Sequence, residues 1–215
     1  MSAPEKGINA LDAVIAVYNS INALRQHLTS DVRIHGIITH GGDVPNVVPD
    51  YAAAKFYLRA ATAPGLDAVY QKVEDIVRGA ALSTGATGSM TPSQNRVDNT
   101  VITPSFDAVY AKELTAFGLT AEPPASVKSI GSTDVGNVSQ VVPTIQPQIR
   151  ISPSPIAGHS EAFKNAAGSK MGLDSVALGG EVLARTALRL MTEPALLASI
   201  QAEHRARVAR QSNPR

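Results

Sequence analysis

Three features of this 215-residue sequence predict an α+β fold: a helix, strand, strand, helix succession within residues 7–95, a one-sided apolar stripe on both of those helices, and a Pro-rich second half that abandons the order. The length admits one large domain or two small ones, and the change in kind favours two. With 44% apolar and 17% charged residues the chain has enough hydrophobic material for a packed core. Its net charge of +1 provides no electrostatic footprint for nucleic acid or an anionic membrane, so neither is expected as a partner. The absence of cysteine excludes disulfides, thiolate metal sites and a cysteine nucleophile. Aromatic residues make up 4% with no tryptophan, too few for a stacking platform. No apolar run has the roughly 18 residues of a membrane helix, and Met1 to Gly7 lacks the pattern of a secretion signal. A soluble, cytoplasmic protein is the expectation.

From Ile8 to Leu28 the apolar positions Leu11, Val14, Ile15, Tyr18, Ile21, Leu24 and Leu28 recur at the three-and-four spacing of a helix face. Thr29-Ser30-Asp31 breaks the pattern, after which Val32, Ile34, Gly36 and Ile38 alternate with Arg33, His35 and Thr39, the period of a half-buried strand. A turn at 41–45 leads to a second strand over Tyr51 to Ala60, with Ala52, Ala54, Phe56 and Leu58 towards a core and Lys55, Tyr57 and Arg59 on the opposite side. After Pro64-Gly65 a second helix reads from Leu66, its stripe formed by Val69, Tyr70, Val73, Ile76, Val77 and Ala81, and Gly85 is placed to end it. The Thr- and Ser-containing stretch 86–95 is a candidate further strand. These elements describe a compact unit with both helices on one face of a sheet.

The second half opens with a helix from Pro104 to Phe117, then Gly118 and a stretch containing Pro123-Pro124. Gln140 to Val142 and Gln148 to Ile151 are short strand candidates held to edges by Pro143, Pro147 and Pro153. A helix carries Val176, Leu183, Ala187, Leu190 and Met191, Pro194 opens another, and the basic tail 205–215 reads as solvated. Two short strands cannot form the centre of an α/β layer, so this half reads as structurally incomplete.

Familiar catalytic signatures are absent: no His-Glu-x-x-His, no phosphate loop, no G-x-S-x-G elbow and no G-x-G-x-x-G. The five histidines, at 27, 35, 40, 159 and 204, offer no pair spaced to share a metal on one helix face. His159, in Gly158-His159-Ser160-Glu161 ahead of a helix, is either a ligand or acid-base group presented at a cleft or an ordinary loop residue. Gly131 to Asn137 is a run of small polar residues suited to tight turns with free backbone amides. Asn46 and Arg59 would suit a carboxylate if they converged on one face of the sheet; otherwise Arg59 is a solvated surface charge.

The segments Gly7 to Val14, His35-Gly36-Ile37-Ile38-Thr39, Gly41-Gly42 and Pro45-Asn46-Val47-Val48-Pro49-Asp50, followed by Gly131 to Ser139 and Gly158-His159-Ser160, resemble the aminoacylase and carboxypeptidase-like zinc metallopeptidases, in particular the dipeptidase and aminobenzoyl-glutamate hydrolase-like branch. The resemblance implies a ferredoxin-like lid at residues 1–95, with a four-stranded antiparallel sheet and two helices on one face, which dimerises. Residues 96–215 would then be the C-terminal part of an α/β catalytic domain. It further implies two zinc ions, with His159 as a metal ligand and Asn46 and Arg59 near the substrate carboxylate, for amide cleavage in dipeptides or N-acyl amino acids. In such enzymes paired zinc ions lower the pKa of a bridging water, a glutamate takes its proton, and lid groups stabilise the oxyanion. Those other ligands, the glutamate and the lid histidine precede the lid positions matched here. The chain is therefore expected to be inactive alone, and the alternative reading is a non-catalytic dimerisation or binding module. Asp134 lies in a matched motif without an assigned role.

Overall fold

A computed structural model describes residues 3–122 and 131–211. The chain divides into two compact units, residues 1–99 and 100–215. In the first, a 3-10 turn at Pro4–Lys6 precedes α1 (Ala10–Arg25), β1 (Arg33–His40), β2 (Ala53–Arg59) and α2 (Ala63–Thr84). Each helix starts where a side chain satisfies amides that have no helical partner. Asn9 accepts from the N–H groups of Leu11 and Asp12, and Thr62 accepts from Gly65. Gly85 ends α2 in the left-handed conformation at φ 74°, which a residue without Cβ adopts at no steric cost.

The two strands pair antiparallel, with Arg33 opposite Arg59, His35 opposite Tyr57 and Ile37 opposite Lys55 on the face away from the helices. Ile34, Phe56 and Leu58 turn the other way, onto α1 and α2, where Val17, Ile21, Val69 and Val73 form the core. Ile21 and Val73 are 0% and 1% exposed, marking the middle of this layer. Tyr18 of α1 meets Phe56 with ring centroids 4.8 Å apart. Arg25, at the end of α1, donates to the Ile34 carbonyl at 2.7 Å and ties helix to strand.

Three strand expectations need correction. Among the described residues the sheet has two strands, and 86–95 forms no ladder. Thr- and Ser-rich composition gives that segment strand propensity, but propensity alone supplies neither a pairing partner nor a buried face. Gln140 to Val142 leaves the end of α4 as a turn, and 148–151 is irregular. Ile38, expected towards the core, is 44% exposed, since its cross-strand neighbour Ala54 is too small to cover it.

The second unit contains α3 (Pro104–Thr115), α4 (Val135–Ser139), α5 (Glu161–Ala167), α6 (Lys170–Thr192) and α7 (Pro194–Gln211). Tyr110 and Leu114 of α3 pack on Val182 of α6, joined by Phe117, Ile145 and Leu178. Across the same contact, Arg189 of α6 donates to Glu113 of α3 at 2.5 Å. The run read as turns at 131–137 becomes helical from Val135. The basic tail is helical through Gln211, continuing α7 beyond the buried Ile200 and His204, and its Arg205 and Arg210 are exposed as expected. Residues 212–215 and the Pro123-Pro124 stretch lie outside the described residues.

Gly36 sits opposite Phe56, and a Cβ there would overlap the phenyl ring. Gly36→Ala is expected to destabilise the first unit by about 1–3 kcal/mol, the range for overpacking a filled site. Urea unfolding checks this, with Gly36→Ala/Phe56→Leu recovering part of the loss.

Candidate functional site

His159 occupies the tight connection before α5. It adopts φ 58°, a left-handed conformation uncommon for a residue with a Cβ, although histidine is among the residues that tolerate it. Ser160 holds the connection from both sides: its Oγ donates to the Ala157 carbonyl at 2.7 Å and accepts from the Phe163 N–H at 3.1 Å. The imidazole is thereby held at the surface beside an open depression lined by Gly158, Ser160, Glu161, Phe163 and Lys164. Glu161 is engaged by Lys164 at 2.8 Å.

This setting does not fit a complete zinc centre. A catalytic zinc takes three or more protein donors. Among the described residues no group of three His, Cys, Asp or Glu side chains is placed to hold a metal. Of the remaining histidines, His40 stacks against Tyr51 with centroids 5.3 Å apart. His204 is buried, with Nε2 2.7 Å from the Ser139 carbonyl oxygen. In the sequence His204 follows Leu196, Leu197 and Ile200 on one helix, but a histidine beside a basic stretch gives no sign of its own that it is buried.

Asn46 and Arg59 lie in the first unit, at opposite ends of the hairpin. Asn46 is the third residue of a turn closed by Val47 N–H donating to Val44 C=O at 3.3 Å, with Pro45 presetting the second position. This loop is fastened to the start of α1 by Ala10 N–H on Pro49 C=O at 2.9 Å. Arg59 is the last residue of β2, level with Arg33, so about 20 Å of strand separates it from the loop end of the hairpin. Convergence on one carboxylate within a single lid, as the sequence suggested, is not what this topology gives. The outer face adds Arg33, His35, Lys55 and Tyr57, with the Lys55 ammonium 5.7 Å from the Tyr57 ring centre.

Asp134 precedes α4 without a side-chain cap bond, and the Thr133 hydroxyl lies 3.4 Å from its carboxylate. Beyond it, at the end of α4, Ser139 is fully buried and links three segments. Its Oγ accepts from Val101 N–H at 2.8 Å and donates to Gly136 C=O at 2.6 Å, while its carbonyl oxygen meets His204.

Residues 1–84 match the peptidase dimerisation domain. Over 207 residues the chain is 34% identical to the Xaa-Arg dipeptidase of Mus musculus, a match covering 95% of this chain and 48% of that protein. The Xaa-Arg dipeptidase of Homo sapiens is 35% identical over 202 residues, 93% of this chain and 46% of that one. This chain belongs to the M20 peptidase family. A shorter match joins it to one of the subunits of the p-aminobenzoyl-glutamate hydrolase of Escherichia coli (strain K12), 36% identical over 87 residues, 40% of this chain and 18% of that protein. The chain spans about half the length of the two dipeptidases. The family is generally metal-dependent. Among the described residues no helix is long and apolar enough to cross a membrane.

Glu203 is a titratable carboxylate that joins the start of α3 to α7. Hydrogen bonding from Ser105 at the start of α3, and then from Arg207, holds its carboxyl below the ordinary carboxylate range. A group with a depressed folded pKa stabilises above its unfolded value, and that contribution disappears as pH falls through the folded one. Asp107, raised by burial and then by Glu203, works in the opposite sense. The stability advantage of the native protein over Glu203→Gln is therefore expected at neutral pH and to vanish on acidification below the ordinary carboxylate range. Urea midpoints measured from pH 7 to pH 3 check it; an advantage independent of pH refutes this assignment.

Proposed function

We propose that this chain is the lid and the end of the catalytic domain of a metal-dependent hydrolase that cleaves amide bonds in dipeptides or N-acyl amino acids. The observation that carries the reading is the match to Xaa-Arg dipeptidases along nearly the whole chain, beginning with the dimerisation domain. Residues 1–95 act as the lid and 96–215 as the closing part of the catalytic domain. The β1–β2 hairpin supplies two strands of a lid sheet that has four when complete, in the ferredoxin-like arrangement. The protein works as a homodimer joined through the lid, on a small substrate in the cytoplasm, with neither nucleic acid nor membrane as a partner.

Arg59 suits a substrate carboxylate because a guanidinium presents paired donors to both oxygens. Asn46, at the other end of the hairpin, offers an amide for a second polar point. The two therefore serve separate contacts and do not share one carboxylate within a lid. His159 is a single donor for zinc, held at the surface by Ser160. The further donors, and the base that activates water, belong to the polypeptide corresponding to the unmatched half of the relatives, so the 215-residue chain alone is not expected to hydrolyse dipeptides.

Two measurements test this. Light scattering on the purified chain is expected to give twice the 22.4 kDa of one copy, and a monomer at micromolar concentration overturns the dimer. Elemental analysis after zinc loading and desalting is expected to find well below one tightly held ion per chain, reduced further by His159→Ala. Two ions per chain, lost in His159→Ala, would mean that the chain carries its own ligand set.

A further inference from the structure

The face of the β1–β2 hairpin turned away from the helices carries charge of one sign. Its rows are Arg33 beside Arg59, His35 beside Tyr57 and Ile37 beside Lys55, so they hold three permanent cations and no carboxylate. Composition does not dictate this, since the chain as a whole has 19 Lys and Arg against 18 Asp and Glu. Like charges directly opposite each other on a sheet are destabilising. Charged residues also guard strand edges against aggregation, but that role needs no single sign. Asp31 borders the face beyond Arg33, where it accepts from the Ala61 N–H at 3.0 Å. Lys55 lies at the other end of the face; it is exposed, and among the described residues no carboxylate pairs with it.

The rows also set a spacing. Neighbouring residues on one face of a strand are about 7 Å apart, which puts the Cα atoms of Lys55 and Arg59 about 13 Å apart. The lysine side chain shortens that gap, because its ammonium stands 5.7 Å from the ring centre of Tyr57, one row nearer to Arg59. Ammonium and guanidinium are then separated by about one row, or about 7 Å, above a floor made by Tyr57 and His35. The two carboxyl carbons of an extended glutamate are about 5 Å apart, a difference that the flexible lysine stem can take up. An α-carboxylate on Arg59 therefore leaves an acidic side chain within reach of Lys55, with its methylenes over the Tyr57 ring. A basic side chain in the same place would meet like charge.

We propose that Lys55 is a specificity-determining residue: it selects substrates whose C-terminal residue has an acidic side chain, taking that second carboxylate while Arg59 takes the first. This rests on the functional reading above, which puts a substrate carboxylate on Arg59, and it adds the class of side chain. The occupant of the face is a small dicarboxylate, complementary to the three cations and able to offset the repulsion between them. One exposed ammonium paired with a carboxylate contributes modestly, so the selection is a graded preference and not an exclusion of other substrates.

The test titrates the full 215-residue chain, isotope-labelled for NMR, with N-acetyl-L-glutamate, its uncharged isostere N-acetyl-L-glutamine, and N-acetyl-L-arginine. At low ionic strength N-acetyl-L-glutamate is expected to bind about three- to fivefold more tightly than N-acetyl-L-glutamine, the range of one exposed ion pair, and N-acetyl-L-arginine more weakly than either. Molar salt is expected to erase the difference. Lys55→Gln is expected to bring N-acetyl-L-glutamate down to the affinity of N-acetyl-L-glutamine, and Lys55→Arg to keep most of the preference. Lys72→Gln, exposed on α2 on the helix side of the sheet, is expected to keep all of it. Equal affinities in the native chain, a preference indifferent to Lys55→Gln, an equal loss in Lys72→Gln, or tighter binding of N-acetyl-L-arginine overturns the proposal. So does the absence of binding by all three compounds, which removes the Arg59 contact as well. Arg59→Gln separates the two readings. Binding of N-acetyl-L-glutamine that depends on Arg59, with no gain for N-acetyl-L-glutamate, leaves the functional reading and removes the role of Lys55. A preference that depends on Lys55 and ignores Arg59 supports Lys55 as the carboxylate contact and removes Arg59 from the functional reading.

Discussion

Apolar faces must be covered by a second layer, and the two units meet that constraint to different extents. A two-stranded hairpin is marginal in water because it has one weakly apolar face and two open edges. Here α1 and α2 cover that face, placing Ile34, Phe56 and Leu58 against Val17, Ile21, Val69 and Val73. The close fit of Phe56 over Gly36 and against Tyr18 sets how strand and helix meet. In the second unit the helices cover one side of α6 and leave its other side open, so packing is satisfied inward and unsatisfied outward.

Polar contacts organise what apolar packing leaves undetermined. Ser139 accepts from Val101, donates to Gly136 and meets His204, so one buried residue gathers the segment before α3, the α4 turn and α7. Buried polar groups carry a large penalty when unpaired, which makes such a junction selective for one arrangement of its helices. Glu203, next to His204, accepts from the N–H of Ser105 at the start of α3, where a negative charge also suits the helix dipole. Local capping and long-range attachment are thus achieved by adjacent residues of α7.

Much of the first unit is legible because its elements announce themselves locally. The three-and-four spacing through Ile21 and Val73 and the stop at Gly85 each follow from a short stretch of chain, whereas the caps Asn9 and Thr62 emerge only with the structure. The failures share another cause. Residues 86–95 and 148–151 have the composition of strands, but a strand exists only where another strand pairs with it, and partner choice is not written in a ten-residue window. In the tail only the helical conformation goes unforeseen, because its exposed, charged residues carry no apolar stripe of their own. For the site, local sequence places His159 correctly before a helix that Ser160 caps. It does not foresee that β2 sets Arg59 at the far end of the hairpin from Asn46.

That separation bears on the lid role proposed for the first unit. A rigid hairpin about 20 Å long cannot bring both ends to one small ligand, so residues at its two ends must address different points or different copies. The fastening of the Asn46 loop to the start of α1, and of the Arg59 end of the hairpin to the end of α1 through Arg25 and Ile34, makes α1 the spacer that keeps the two ends apart. A dimer is the economical way to use such a spacer, because a second copy brings another loop and another arginine without bending the first. On the proposed function, dimerisation through the lid and division of the polar contacts between its ends are two aspects of one geometric requirement.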